Sequence, residues 1–133
     1  MDGRKRPWWD YADNLLNSDL AWASITFMPS STYIDNNFTT SYRMGNACKC
    51  SIAIGIKTKI GAWSKVIIGR VSLPSKIDMS CVGHIQSTGK TVLLSIENSN
   101  TGNGKGYDIY METFAQEIPA GEWIRGCLIY FYK

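Results

Sequence analysis

One histidine, four cysteines and eleven carboxylates bound the reactions open to this chain. Hydrolysis by a nucleophile, base and acid would need His84 as the base, and no Gly-x-Ser-x-Gly elbow accompanies it. The run Gly83-His84-Ile85-Gln86-Ser87-Thr88-Gly89-Lys90-Thr91 looks like a phosphate loop. It has five residues between its glycines where the motif has four, and a strand pattern follows it instead of the required helix. Cys48, Cys50, Cys81 and His84 could in principle surround a zinc ion. Cys-x-Cys is an atypical half-site, however, and all three thiols fit apolar strand faces, so buried reduced thiols are expected. Cys48 and Cys50 sit two apart on one strand face, with Cα atoms about 6.5 Å apart and side chains parallel, which is poor disulfide geometry. Glu97, Asp108, Glu112, Glu117 and Glu122 could pair as acid and base, as they could in any β domain of this size. No catalytic constellation, metal site or cofactor is expected.

What remains is a binding surface. Asn98, Asn100, Asn103, Lys105, Tyr107 and Asp108 lie in or beside one long polar loop. Amide and acid groups next to an aromatic ring offer directional hydrogen bonds to sugar hydroxyls and a flat apolar face for the sugar's C–H side. Trp63 and Trp123 are further possible platforms. The alternatives are a plain solvated turn for the loop and core packing for the tryptophans, which are buried on average.

The elements that must position these residues are organised around Tyr42 to Pro74. Cys48, Cys50, Ile52, Ile54 and Ile56 alternate with Lys49, Ser51, Ala53, Gly55 and Lys57, the period of a strand with one buried face. Gly45-Asn46 turns the chain on entry and Gly61 on exit. Trp63 to Val71 is expected as a second strand, forming a hairpin or sandwich corner, and Pro74 closes the unit. Upstream, Pro7 to Asn17 has a helical period, with Trp8, Tyr11, Ala12 and Leu15 on one face. A helix this short is marginal alone. Its rings call for cover by its own domain or by neighbouring copies gathered about an axis. Ala21 to Met28 is expected as a strand, Thr32 to Asn37 as a polar loop and Phe38 to Arg43 as a strand. After Pro74, strands are expected at Met79 to Ile85, Thr91 to Glu97, Tyr107 to Phe114 and Trp123 to Tyr132. The last is apolar on both faces, which suits a central strand or a subunit contact. Seven or eight short strands with regular turn signals indicate an all-β sandwich or barrel.

The chain has 133 residues, the size of one domain, and at 44% apolar it can build one core. A net charge of +3, with basic residues scattered apart from Arg4-Lys5-Arg6, does not resemble a nucleic-acid footprint. No apolar run is long enough to span a membrane. The basic start lacks a following apolar segment, so no secretory signal is expected.

Taken together, Tyr42-Arg43-Met44-Gly45-Asn46 before an alternating strand, Gly69-Arg70-Val71-Ser72-Leu73-Pro74, a strand–Gly-loop–strand unit, and Ile118-Pro119-Ala120-Gly121-Glu122-Trp123-Ile124-Arg125-Gly126 before an aromatic strand resemble the C-terminal domains of bacteriophage tail-fibre and baseplate proteins. Ala21-Trp22-Ala23 fits the same layout, and the likeness covers about residues 20 to 133. One departure is Ser75-Lys76-Ile77-Asp78, where that group often has Gly-x-x-Pro. The resemblance implies an antiparallel, jelly-roll-like β-sandwich head (20–133) behind a short helical neck (1–19). It implies a homotrimer at the tail tip of the virion, made in the host bacterial cytoplasm, that meets other tail proteins and binds a bacterial surface glycan or protein. No binding residue carries over by motif. The ligand set expected from composition is Asn98, Asn100, Asn103, Lys105, Tyr107, Asp108 and Trp63. The expected subunit contacts are Trp8, Tyr11, Leu15, Trp123, Tyr130 and Tyr132. The competing expectations are a purely structural trimeric cap, a TNF-like, C1q-like or lectin-like binding module, and a polysaccharide hydrolase using Asp108 or Glu112.

Overall fold

β5 (Ala47–Ile56) is the longest strand, and its alternation explains why it forms. Cys48, Cys50, Ile52, Ile54 and Ile56 all point into the core and are almost wholly buried. Each isoleucine so buried contributes about 1.5–3 kcal/mol relative to leaving it in water. The computed structural model describes residues 22–98 and 105–132. Among these residues the chain is all β, with ten strands and no helix. The others are β1 (Trp22–Ser24), β2 (Phe27–Pro29), β3 (Ile34–Asn37), β4 (Thr40–Met44), β6 (Lys65–Val71), β7 (Met79–Ile85), β8 (Thr91–Ile96), β9 (Asp108–Glu112) and β10 (Trp123–Phe131). The expected helix Pro7 to Asn17 lies outside the described residues.

The strands form one curled antiparallel sheet in the order β1-β4-β5-β10-β7-β8-β9-β6-β2, with β3 pairing the far end of β5. β1 and β2 stand at opposite edges of this path, yet only Ile25 and Thr26 separate them. Two residues reach no more than about 10 Å, so the sheet has to curl until its edges approach. The connection is stitched to both sides. Ile25 N–H donates to Ser41 O at 2.9 Å, Thr26 N–H to Ser72 Oγ at 3.0 Å, and Ser72 N–H to Thr26 O at 2.9 Å. Where β10 pairs β7 the two strands approach closely under Leu94, and two glycines sit there. A Cβ at Gly83 would stand 2.8 Å from Leu94 Cδ1 and 2.9 Å from Arg125 O, and one at Gly126 would overlap the same leucine methyl. The concave side holds the core of Ile54, Ile68, Leu94, Ile96, Ile109, Met111, Ile124 and Leu128.

Several boundaries differ from the sequence expectation. Ala21 to Met28 is divided between two strands because the chain passes from one sheet edge to the other at Ile25-Thr26. Thr32 to Asn37 contains a strand, β3, whose three polar residues Asp35, Asn36 and Asn37 are exposed while Ile34 alone is buried. β5 and β6 do not form a hairpin; β5 pairs β3, β4 and β10, while β6 pairs β2 and β9. Trp63 is not in β6, because its backbone is left-handed and cannot continue an extended strand. β10 is central, paired on both sides, but only one of its faces is buried: Arg125, Cys127, Ile129 and Phe131 on the other are exposed, because that face is the convex side of the sheet.

The connections gather at two ends. At one, Ile60 bridges Ile118, Trp63 meets Phe114, Gln116 Nε2 donates to Thr91 O at 2.6 Å, and Ser87 Oγ donates to Glu122 Oε2 at 2.5 Å. At the other, Ser75 N–H donates to Gly106 O at 2.8 Å and Lys76 N–H to Phe131 O at 2.7 Å.

Candidate functional site

Thr113 immediately follows β9 and its side chain is fully buried. Its Oγ1 accepts from Ser64 N–H at 3.0 Å and donates to Gly61 O at 2.8 Å, and its own N–H donates to Ser64 O at 3.0 Å. Trp63 N–H donates to Phe114 O. One threonine therefore clamps the segment 61–64 against the turn that follows β9.

The residues on either side of this clamp are forced into an unusual backbone. Trp63 has φ +56° and Phe114 has φ +57°. A left-handed conformation is uncommon outside glycine, asparagine and aspartate, and each such residue costs roughly 1–3 kcal/mol. Both side chains are nonetheless presented to solvent, Trp63 at 77% and Phe114 at 41% exposure. The Thr113 clamp holds this strain in place, and strain of this kind clusters at ligand contacts.

Two shallow grooves meet at this pair, and a third adjoins them through Glu112. Trp63, Ser64, Lys65, Glu112 and Phe114 line one of about 150 Å³. Phe114 is shared with a groove of about 510 Å³ that includes Lys90, Thr91 and Gln116. Glu112 is shared with a groove of about 230 Å³ that includes Asp78, Leu93, Ser95 and Glu97. Lys65 anchors the middle. Its Nζ is 2.5 Å from Glu97 Oε1, 3.8 Å from Glu112 Oε1 and 4.9 Å from the centre of the Tyr110 ring. The hydrogen bond to Glu97 raises the Lys65 pKa above its ordinary value. Burial raises that of Tyr110.

The residues expected at the site are divided between the two ends of the sheet. Trp63 is on the platform. Asn98 is at the other end, donating N–H to Asp78 Oδ1 at 2.7 Å and Nδ2–H to Lys76 O at 2.8 Å. Lys105 is exposed with φ +44°. The half-buried Tyr107 lies under the Arg70 guanidinium, 5.4 Å from its ring centre, and Arg70 Nε holds the buried Asp108 carboxylate at 2.9 Å. Those two flank a separate groove of about 580 Å³ lined by Met28, Ile67 and Arg70. Asn100 and Asn103 lie outside the described residues, as do Trp8, Tyr11 and Leu15.

Of the expected subunit contacts, Trp123 is half-buried and stacks on Phe38 with ring centres 5.7 Å apart. Tyr130 is inside the chain's own core and donates its hydroxyl to Leu73 O at 2.8 Å. Tyr132 is half-buried, with the Arg43 guanidinium over its ring and on its hydroxyl. Four thiols are free: Cys48 and Cys50 are buried, Cys81 is half-buried, and Cys127 is exposed instead of facing the core, because it points to the convex side opposite Ser51. Burial pushes the Cys50 thiol up to about 11. The imagined zinc set is not brought together, since His84 is on the exposed face opposite Arg125 while Cys48 and Cys50 point into the core. Among the described residues no group of three or more histidine, cysteine, aspartate or glutamate side chains is placed to hold a metal ion.

Sequence reasoning missed Phe114, Thr113 and the 73%-exposed Phe38. Phe114 was inside an expected strand, and its turn depends on a partner 51 residues away. The chain matches no protein-family model, and no curated protein or solved structure is significantly similar to it.

Proposed function

We propose that this chain is a non-enzymatic carbohydrate-binding head that attaches a bacteriophage tail tip to a bacterial surface glycan. The supporting observation is the Trp63–Phe114 platform: two exposed rings held side by side at strained backbone angles by the Thr113 clamp. A sugar ring laid on Trp63 would cover the indole with its C–H face, while Lys65 and Glu112 at the rim offer a donor and an acceptor to its hydroxyls. The nearby carboxylates are engaged as ion pairs, Glu97 and Glu112 with Lys65 and Asp108 with Arg70. That favours positioning over acid–base cleavage.

In this reading the curled sheet is a flattened, jelly-roll-like sandwich and the copies assemble as a homotrimer seated on other tail proteins. Support for assembly comes from the convex face. Met44, Ala47 and Phe131 stand in one cross-strand row, with Ile129 in the next, and Met44, Phe131 and Ile129 are exposed. A ring of three copies would cover that apolar row and carry three weak sites on one rigid body, gaining avidity through effective concentration.

Binding of fluorescently labelled protein to intact bacteria, before and after periodate oxidation of their surface sugars, tests the reading. Binding lost on oxidation and absent in Trp63→Gly is the expected result. Binding that survives both treatments defeats it. Light scattering should give three times 14.9 kDa, about 45 kDa.

A further inference from the structure

We infer that the ligand is a linear glycan carrying free amino sugars, lying along one continuous trough that passes Trp63 and Phe114 at its middle and reaches Asp78 at its acidic end. This deepens the proposed carbohydrate reading and rests on it. The three grooves are not independent, because Phe114 is a wall of two and Glu112 a wall of two. The two outer grooves lie along β8, at Thr91 and at Leu93 to Glu97, and the middle one lies beside them over the ends of β6 and β9. From Thr91 to Glu97 is six residue steps, about 20 Å of strand. A trough of that length is too long for one sugar ring and suits several in a row.

Its two outer segments each hold a polar atom with nothing to bond. Ser95 is 5% exposed, lines the acidic segment, and its Oγ has no hydrogen-bond partner among the described residues. Gln116 lines the first segment, and its buried Oε1 is likewise unpartnered although its Nε2–H is used by Thr91 O. Buried polar groups are nearly always satisfied, so Ser95, the deeply buried one of the two, marks a place where a ligand donor completes the network, with the half-buried Gln116 a secondary acceptor. Both atoms can accept a hydrogen bond. The charge of the far segment then selects the donor. Asp78, Glu97 and Glu112 carry three negative charges there against the single positive charge of Lys65, while Lys90 lines the opposite end of the trough. That excess repels uronic acids and phosphorylated polymers and favours an ammonium group. Of the loop residues expected from sequence, Asn98 adjoins the trough, holding the Asp78 carboxylate through its backbone N–H.

The test is titration by tryptophan fluorescence and calorimetry at pH 6 with two series of β-linked oligomers, glucosamine and N-acetylglucosamine, of one to six units. Affinity should rise at least tenfold between one and four glucosamine units, and the glucosamine hexamer should bind at least fivefold more tightly than its acetylated counterpart. Asp78→Asn combined with Ser95→Ala, both confined to the far segment, should abolish the gain with length while leaving the weak binding of short oligomers. Unchanged circular dichroism and urea midpoint for that variant separate loss of the trough from loss of the fold. Affinity independent of length, with Trp63 still required, overturns the trough and leaves the platform standing. Equal affinity for the two hexamers overturns the amino-sugar assignment. No binding of either series, together with no effect of Trp63→Gly on binding to cells, overturns trough and platform together.

Discussion

Replacing Trp63 by glycine should leave the stability of this protein nearly unchanged. Two opposing terms decide this. The ring is 77% exposed, so 23% of its surface is covered. With roughly 250 Å² for a whole tryptophan side chain, that is about 60 Å². At about 25 cal/mol per Å² its loss destabilises by about 1.5 kcal/mol. In the opposite direction, φ at this position is +56°. Relieving a left-handed non-glycine residue returns about 1–2 kcal/mol. The net change is within about 1 kcal/mol of zero, against the 3–5 kcal/mol usual for truncating a core tryptophan. The assay is urea unfolding followed by circular dichroism, comparing midpoints at constant slope. A loss above about 3 kcal/mol would show that Trp63 holds the fold together, and would refute the argument that its strain and exposure serve an outside partner.

Thr113→Val keeps the shape of the clamp but strips its hydroxyl, leaving Ser64 N–H and Gly61 O unpaired; urea unfolding should show a loss of about 2–4 kcal/mol, and a neutral result would mean the clamp is idle. For Cys50 the thiol pKa is raised from 9.0 to about 11, so the stability it contributes is complete below pH 9 and disappears as pH rises from 9 through 11. Two units amount to about 2–3 kcal/mol. Burial raises the Cys48 and Tyr130 values in the same direction, which steepens the fall. Urea midpoints at pH 8 and pH 10.5 should converge in Cys50→Ala relative to the parent protein, and an identical drop in both would contradict the assignment. Reaction of the native protein with an aromatic disulfide reagent should release one thiol equivalent rapidly, from Cys127, with Cys48 and Cys50 reacting only on unfolding; fast release of three or more would mean the β5 thiols are not in the core.

The parts of the fold legible in the sequence are those decided by local alternation. β5, β7 and β8 show their buried faces in every second residue, whereas the apolar outer face of β10, with Ile129 and Phe131, is exposed. β3 was illegible because an edge strand whose only inward residue is Ile34, followed by Asp35-Asn36-Asn37, has the composition of a loop. The sheet order was illegible for another reason. β10 lies between β5 and β7 through contacts some 40 to 80 residues apart in sequence, which no short-range pattern encodes. The candidate site divides the same way. Trp63 was recognisable as a possible platform from its ring alone, but its neighbours Gly61 and Ser64 take their geometry from Thr113. Asp108 looked like a sugar-binding acid beside Tyr107, and its engagement by Arg70 appears only when β6 and β9 pair.

The most direct test of the central claim is a nuclear magnetic resonance titration of the labelled protein with the glucosamine hexamer. The largest shifts should fall on the Trp63 indole N–H, the Phe114 amide and the Ser95 amide, with the Trp123 indole unmoved. Shifts confined to Trp123 and Phe38, or to the Asn98 end alone, would contradict the account.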